Sequence, residues 1–169
     1  MRWDAVIEFP KMKVAVATRD VDGKPRVAGI RYLPLATAPM DPKNELAERA
    51  ARQLERYRED PDAKFDLPLL VEGTEFQRRV WEIMCTVPRG RTLTYGEVAR
   101  KMGEGAADAA RVVGQACGDN KLPIVIPCHR IVAANGIGGF SHSTDGYLIE
   151  VKRWLLMHES SADAFELRP

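Results

Sequence analysis

The chain has 169 residues, 45% of them hydrophobic and 29% charged, with a formal net charge of +1. That length and balance describe an ordinary globular protein with one good core or two small ones, and they exclude a disordered chain or one that coats polyanions non-specifically. No run of about 18 apolar residues offers a membrane span, and the opening MRWDAVIEFPKMKV holds no stretch of signal-peptide length. A soluble, cytoplasmic protein is expected, nuclear if the source is eukaryotic, with no membrane partner.

The first strand-like runs are Val14 to Thr18 and Val27 to Leu33. They flank the turn-rich segment Asp22-Gly23-Lys24-Pro25, which predicts a β-hairpin with a longish loop. A helix follows. Asp41 is placed to cap it with Pro42 at its first position, and Leu46, Ala47, Ala50, Leu54 and Tyr57 recur at helical spacing to about Arg58. Glu59-Asp60-Pro61-Asp62 breaks the pattern. Residues 1–70 thus form a small α+β unit without obvious chemistry, to which a scaffold role is assigned.

A second segment, 71–169, begins with a capping box. Thr74 and Gln77 precede a helix whose Phe76, Val80, Ile83 and Met84 form an apolar stripe. Thr94 and Glu97 make another box for a short helix from about Tyr95 to Met102, with Gly103 as its left-handed stop. A tight connection leads to a third helix, about Ala106 to Cys117, ended by Gly118. Two short helices so joined have the pattern of a helix-turn-helix. The third helix buries Ala109, Val112, Val113 and Ala116. Its other face carries Ala107, Arg111, Gly114 and Gln115, small residues around one long cation, suited to close approach to a nucleic-acid groove. Between Arg78 and Arg130 nine basic residues stand against five acids. This reads either as a modest phosphate-binding face or as scattered solvated charge.

The run Pro123 to Pro127 is apolar and β-branched and reads as buried extended chain delivering Cys128-His129-Arg130. Asn135 to Gly139 is a flexible loop, and a last helix places Tyr147, Val151, Trp154, Leu155 and His158 on one face.

Three cysteines, Cys85, Cys117 and Cys128, form neither a CxxC pair nor an even-numbered framework, so reduced thiols are expected. Cys128 beside His129 suggests thiolate chemistry, because a thiol must lose its proton to attack. On extended chain, however, neighbouring side chains point to opposite faces, so His129 would need a turn or a bridging water to serve Cys128. A cysteine protease fits poorly, since only His142 and His158 remain as distant partners.

Several motifs in order carry a resemblance. They are Gly73-Thr74-Glu75-Phe76-Gln77 with Val80-Trp81, Val87-Pro88-Arg89-Gly90, Thr94-Tyr95-Gly96, Ala109-Ala110-Arg111-Val112-Val113-Gly114, Asn120, Ile126 to Val132 around Pro-Cys-His-Arg, and Lys152 to Glu159. Over about half of its length the chain resembles the methylated-DNA-protein-cysteine methyltransferases, the O6-alkylguanine-DNA alkyltransferases. The resemblance implies a ribonuclease-H-like α+β domain over 1–70 and a mainly helical winged-helix domain, with its helix-turn-helix, over 71–169. It implies single-turnover transfer of an alkyl group from O6-alkylguanine, and O4-alkylthymine as a further substrate, to Cys128, which inactivates the protein.

By the same resemblance His129 takes the thiol proton through a water, Glu159 orients His129, and Asn120 is a hinge between recognition helix and active-site segment. Tyr95 rotates the nucleotide by pressing on its phosphate and protonates the departing guanine. Arg111 fills the gap left by the flipped base in the minor groove of double-stranded DNA, with Ala107, Gly114, Gln115 and Arg130 also at the DNA. Pro127, Ile131 and Ser141 line the pocket, where carbonyls near Cys128 and Ile131 recognise the exocyclic amine. A monomer is implied, and no cofactor. Three departures stand out. The segment from Gly139 to Tyr147 is several residues longer than the family's glycine-rich loop; no Cys or His precedes Cys85, so no zinc is expected; and Cys117 replaces a common apolar residue as a small core filler. The rival readings are a protein that binds alkylated DNA without repairing it and a thiol hydrolase that turns over.

Overall fold

The computed structural model describes residues 2–103, 108–139 and 146–160. The chain divides into two compact units, Met1–Val71 and Glu72–Pro169, and its content is mixed α and β. No helix among the described residues is long and apolar enough to cross a membrane.

In the first unit β1 (Ala5–Glu8), β2 (Lys13–Val21) and β3 (Lys24–Leu33) form an antiparallel sheet in that order. The connection between β2 and β3 is shorter than the sequence suggests. Asp22 and Gly23 alone make the turn, with φ of 52° and 79°, the left-handed pair that a two-residue type I′ hairpin requires. Lys24 and Pro25 already belong to β3, where Pro25 faces Asp20 across the ladder. A proline is tolerated there because β3 is the last strand of the sheet and a missing N–H leaves no central ladder bond broken. The register shifts between Ala17 and Thr18, a bulge that twists the hairpin. β1 was not anticipated, since four residues are too few to display a period.

Helix α1 (Glu45–Glu59) buries Leu46, Ala47, Ala50, Leu54 and Tyr57, as the spacing predicts. Each large apolar side chain so covered contributes roughly 1.5–3 kcal/mol of transfer free energy. The cap is Asn44, not Asp41. The Asn44 carboxamide oxygen accepts from Ala47 N at 2.8 Å. Met40 is still paired with Val6 and Lys43 N bonds to Asp4 O, so the chain around Asp41-Pro42 is tied to β1 and has not yet turned into the helix.

In the second unit α2 (Glu75–Cys85) and α3 (Tyr95–Lys101) both start with complete capping boxes, Thr74 with Gln77 and Thr94 with Glu97. Gly103, at φ 78°, follows α3 as the expected stop. α2 buries Val80, Trp81 and Met84, while Phe76 and Ile83 are half-buried. Trp81 ties α2 to α4 (Ala109–Gly118) by donating its indole N–H to Ala116 O at 2.9 Å. α4 buries Ala109, Val113, Ala116 and Cys117. Val112, expected inside, is only half-covered, and Cys117 takes its place in the core.

The segment before Cys128 is not extended. Ile126 N bonds back to Leu122 O and Cys128 N to Ile126 O, both at 2.8 Å, and Ile124 has φ 72°. Asn120 braces this coil from both ends, accepting from Leu122 N at 2.9 Å and donating to Ile126 O at 2.8 Å. Local polar bonds thus override the strand preference of a β-branched run. A single 3-10 turn, Cys128–Arg130, comes next. β5 (Ile131–Val132) then pairs in parallel with β4 (Leu93–Thr94).

The last helix, α5 (Tyr147–Glu159), is rotated relative to expectation. It buries Ile149, Val151, Lys152, Leu155, Leu156 and Glu159. Tyr147 is exposed, and Trp154 stacks on His158 at 4.6 Å on a half-exposed side. Val151 and Leu155 are buried as expected, but the two buried charges disguise the rest of the stripe, which is why hydrophobic periodicity took in Tyr147, Trp154 and His158 instead.

Candidate active site

Cys128 opens the 3-10 turn and is 6% exposed; His129, beside it, is fully buried. Glu159 is the last residue of α5 and is equally enclosed. His129 Nε2 lies 2.8 Å from Glu159 Oε2. Arg130 donates from Nε to Glu159 Oε1 at 2.9 Å and from Nη2 to Oε2 at 3.0 Å, a two-pronged clamp. Burial pushes the Glu159 carboxyl up, but His129 and Arg130 overrule it and hold the group well below the ordinary carboxylate range. Glu159 is therefore an anion that only accepts, so the proton of the neutral imidazole sits on Nε2 and the lone pair on Nδ1. Nδ1 is buried without a hydrogen-bond partner among the described residues. Burial also lowers the His129 pKa, so the ring is neutral and ready to take a proton.

The thiol itself is held protonated at rest. Burial pushes the Cys128 pKa up, while a hydrogen bond from the Asn120 side chain and the charge of Lys152 pull the other way. Asn120 thus joins the site through the sulfur as well as through the coil before it.

Lys152 is the residue to which the sequence reading gave no role. Its ammonium is enclosed on the inner face of α5 and donates to Ile131 O at 2.8 Å and Gly139 O at 2.9 Å. Burial pulls its pKa down to about 8, against the attraction of Cys128 and Cys117. Its signal in the sequence was a lysine on the inward side of an amphipathic helix, four positions from Leu156 and seven from Glu159.

Tyr95, the first residue of α3, donates to the same Gly139 oxygen at 3.2 Å, and Lys152 Nζ stands 5.8 Å from its ring centre. A side chain at Gly138 would come within 3.1 Å of Tyr95, so the loop after β5 rests directly on the tyrosine. Burial raises the Tyr95 pKa, with Cys117 and Cys128 adding to it, so its hydroxyl keeps its proton. Burial likewise raises Cys117, next to Cys128 in charge coupling, so Cys117 is inert as a thiolate.

The remaining expected residues divide into three groups. Pro127 and Ile131 are buried at the site, and the carbonyls of Cys128 and Ile131 already accept Ile131 N and Lys152 Nζ. On α4, Arg111 and Gln115 are exposed and Gly114 is half-covered; Arg111 reaches solvent with its side chain 65% exposed, 3.5 Å from Asp108. Ala107 and Ser141 lie outside the described residues, as does most of the long loop after Gly139. Arg130 needs correction. Expected at the DNA, it is turned inward, with its third donor on Val87 O at 2.6 Å, because two buried acceptors outcompete solvent for a guanidinium. No group of three or more His, Cys, Asp or Glu among the described residues is placed to hold a metal ion.

The arrangement is a buried thiol, a neutral imidazole with one free lone pair, a clamped carboxylate and a protonated phenol, the parts of a thiol nucleophile with a proton acceptor at hand. Comparison with known proteins gives this chemistry a family. Residues 75–161 match the model of the 6-O-methylguanine DNA methyltransferase DNA-binding domain. The methylated-DNA–protein-cysteine methyltransferase of Methanosarcina acetivorans is 41% identical over 118 residues, which span 69% of this chain and 71% of that one. The protein of that name from Mycolicibacterium paratuberculosis is 47% identical over 87 residues, 52% of each chain. The crystal structure of Mycobacterium tuberculosis OGT in complex with DNA superposes with a TM-score of 0.73 at 34% identity, covering 91% of this chain and 90% of that one. The chain belongs to the methylated-DNA–protein-cysteine methyltransferase family.

Proposed function

We propose that Cys128 is the alkyl acceptor in the family's reaction, the direct repair of alkylated DNA, and that each molecule acts once. The observation that carries this reading is the polarity of His129, whose Nε2 is committed to the Glu159 carboxylate while its buried Nδ1 has no partner among the described residues. Adjacent side chains need not touch for this. One bridging water carries the thiol proton from Cys128 to Nδ1, and the charge of Lys152 steadies the thiolate. The sulfur attacks the alkyl carbon of O6-alkylguanine in line with the carbon–oxygen bond, which breaks as the thioether forms. The electron pair stays on the purine, and Tyr95 supplies a proton to the departing base. A thioether offers no leaving group, so the acceptor is spent.

Access of DNA follows from α3 and α4. Arg111, exposed on α4, is the side chain that enters the minor groove in place of the flipped nucleotide, with Gly114 and Gln115 beside it. Flipping costs on the order of a few kcal/mol, less where a lesion has already weakened pairing. α3 and α4 with the β4–β5 pair serve as a winged-helix reader, and the first unit as a ribonuclease-H-like scaffold. The protein works as a monomer in the cytoplasm.

The test is the intact mass of the protein after incubation with a duplex containing O6-methylguanine, followed by peptide mapping. One methylene, roughly 14 Da, on Cys128 with one lesion repaired per protein is the expected result. Unchanged mass with DNA bound would mean recognition without repair, and repeated turnover would mean a hydrolase.

A further inference from the structure

The segment Val87 to Gly90 meets Glu159 at its main chain, whereas His129 meets its carboxylate. Arg89 Nη1 donates to the main-chain oxygen of Glu159 at 2.8 Å. That oxygen belongs to the last turn of α5, where no later helical N–H is available among the described residues and where a cation also complements the helix dipole. Gly90, at φ 83°, presses on the same atom: a Cβ there would lie 3.3 Å from it, so the approach depends on glycine. Val87 O in turn accepts the Arg130 guanidinium that clamps the Glu159 carboxylate. One short loop thus reaches both parts of a single residue, the main chain through Arg89 and the side chain through Arg130.

We infer that Arg89 is a positioning residue of the proton relay: by holding the end of α5 it sets the Glu159 carboxylate against His129. The inference rests on the proposed role of Glu159 and His129 in the transfer. It removes Arg89 from the basic face counted in the sequence, since this donor is spent on a carbonyl inside the protein. Loss of the guanidinium frees the last helical turn, the carboxylate drifts from Nε2, and the imidazole loses the partner that fixes its tautomer.

The experiment uses the full chain and two variants, Arg89→Met and Arg89→Lys. Single-turnover alkyl transfer is measured from an O6-methylguanine duplex and from a free O6-alkylguanine base, and the His129 ring is followed by ¹⁵N NMR across pH. Arg89→Met is expected to slow transfer from both substrates by roughly five- to tenfold, the equivalent of one lost hydrogen bond, and to lower the share of the Nε2-protonated tautomer. Arg89→Lys, which keeps a donor and a charge, restores much of both. An unchanged His129 spectrum with normal transfer from the free base, and weakened duplex binding alone, would overturn the inference and make Arg89 a phosphate contact. Should the wild-type protein accept no alkyl group, the proposed function falls, while the NMR readout still decides whether Arg89 positions the histidine.

Discussion

Lys152 Nζ lies 2.8 Å from the carbonyl oxygen of Ile131, three residues beyond Cys128, and a second bond reaches Gly139 O across the loop that follows. A buried ammonium thus closes the acceptor segment onto α5 while its charge favours the thiolate. Lys152→Met keeps the volume but takes a donor from Ile131 O and leaves Gly139 O to Tyr95 alone, at a cost of about 1–3 kcal/mol if the Ile131 oxygen goes unpaired. Urea denaturation should show that loss, and single-turnover transfer should slow by roughly tenfold or more, the equivalent of about 1.4 kcal/mol of lost thiolate stabilisation. A Lys152→Met protein as active and as stable as the wild type would mean that the lysine only fills space.

The pH profile follows from two groups with opposite limits. His129 is neutral at rest because burial lowers its pKa from the ordinary 6.5, so the acid limb of the transfer rate should lie below pH 6.5. Lys152 is pulled down to about 8, so its charge, and with it the stabilised thiolate, should fade above that pH in a range where the buried thiol is still protonated. Rate measured against pH should therefore show a plateau between the two, and Lys152→Met should remove the alkaline limb.

Stability has its own sign. The folded state prefers neutral His129 and ionised Glu159, both with pKa values below those of the unfolded chain. As pH falls through 6.5 and then 4.5 the unfolded chain takes up these protons first, so unfolding free energy should decline stepwise toward acid pH. Thermal melts from pH 8 to pH 4 check this, and a transition temperature that rose on acidification would contradict it.

Asn120 bonds with one side chain to Leu122 N and Ile126 O, and the same carboxamide favours the ionised form of Cys128. Asn120→Ala should cost roughly 2–4 kcal/mol, since backbone groups in the coil lose their partners and Ile124 at φ 72° is no longer held there. Asn120→Asp separates the functions. The carboxylate can still accept from Leu122 N but places a negative charge beside the thiol, so transfer should slow far more than stability falls. Equal losses in both variants would assign Asn120 to the coil alone.

Much of this was legible where a signal is local. Thr74 with Gln77 and Thr94 with Glu97 are complete boxes, because each depends only on residues three apart. Asp41 was read as the cap because it stands just before Pro42, and what moves the helix start on to Asn44 is a set of bonds to residues 4 and 6, far away in sequence. The coil at residues 123–127 was misread for a related reason: its apolar residues say strand, and what bends it is the Asn120 side chain. Arg130 and Lys152 show the same limit in charge. A cation is ordinarily placed at the surface, and only the convergence of Glu159, Val87 O, Ile131 O and Gly139 O, brought together by the fold, makes the interior the better site.

Gly114 offers the sharpest test of how α4 meets DNA. It stands in the middle of the helix, where glycine is about 1 kcal/mol worse than alanine, and an added Cβ would lie 3.8 Å from the Tyr95 ring, an ordinary contact. Nothing in the folded chain therefore forbids Gly114→Ala, and the variant should unfold at a higher temperature than the wild type. If α4 enters the minor groove as proposed, the extra methyl beside Arg111 meets the duplex, and affinity for DNA should fall while stability rises. Differential scanning fluorimetry and duplex titration at constant salt measure the two effects separately. A stabilised protein with undiminished affinity would show that the groove is approached by another part of the helix, and would leave Arg111 without the close contact its insertion requires.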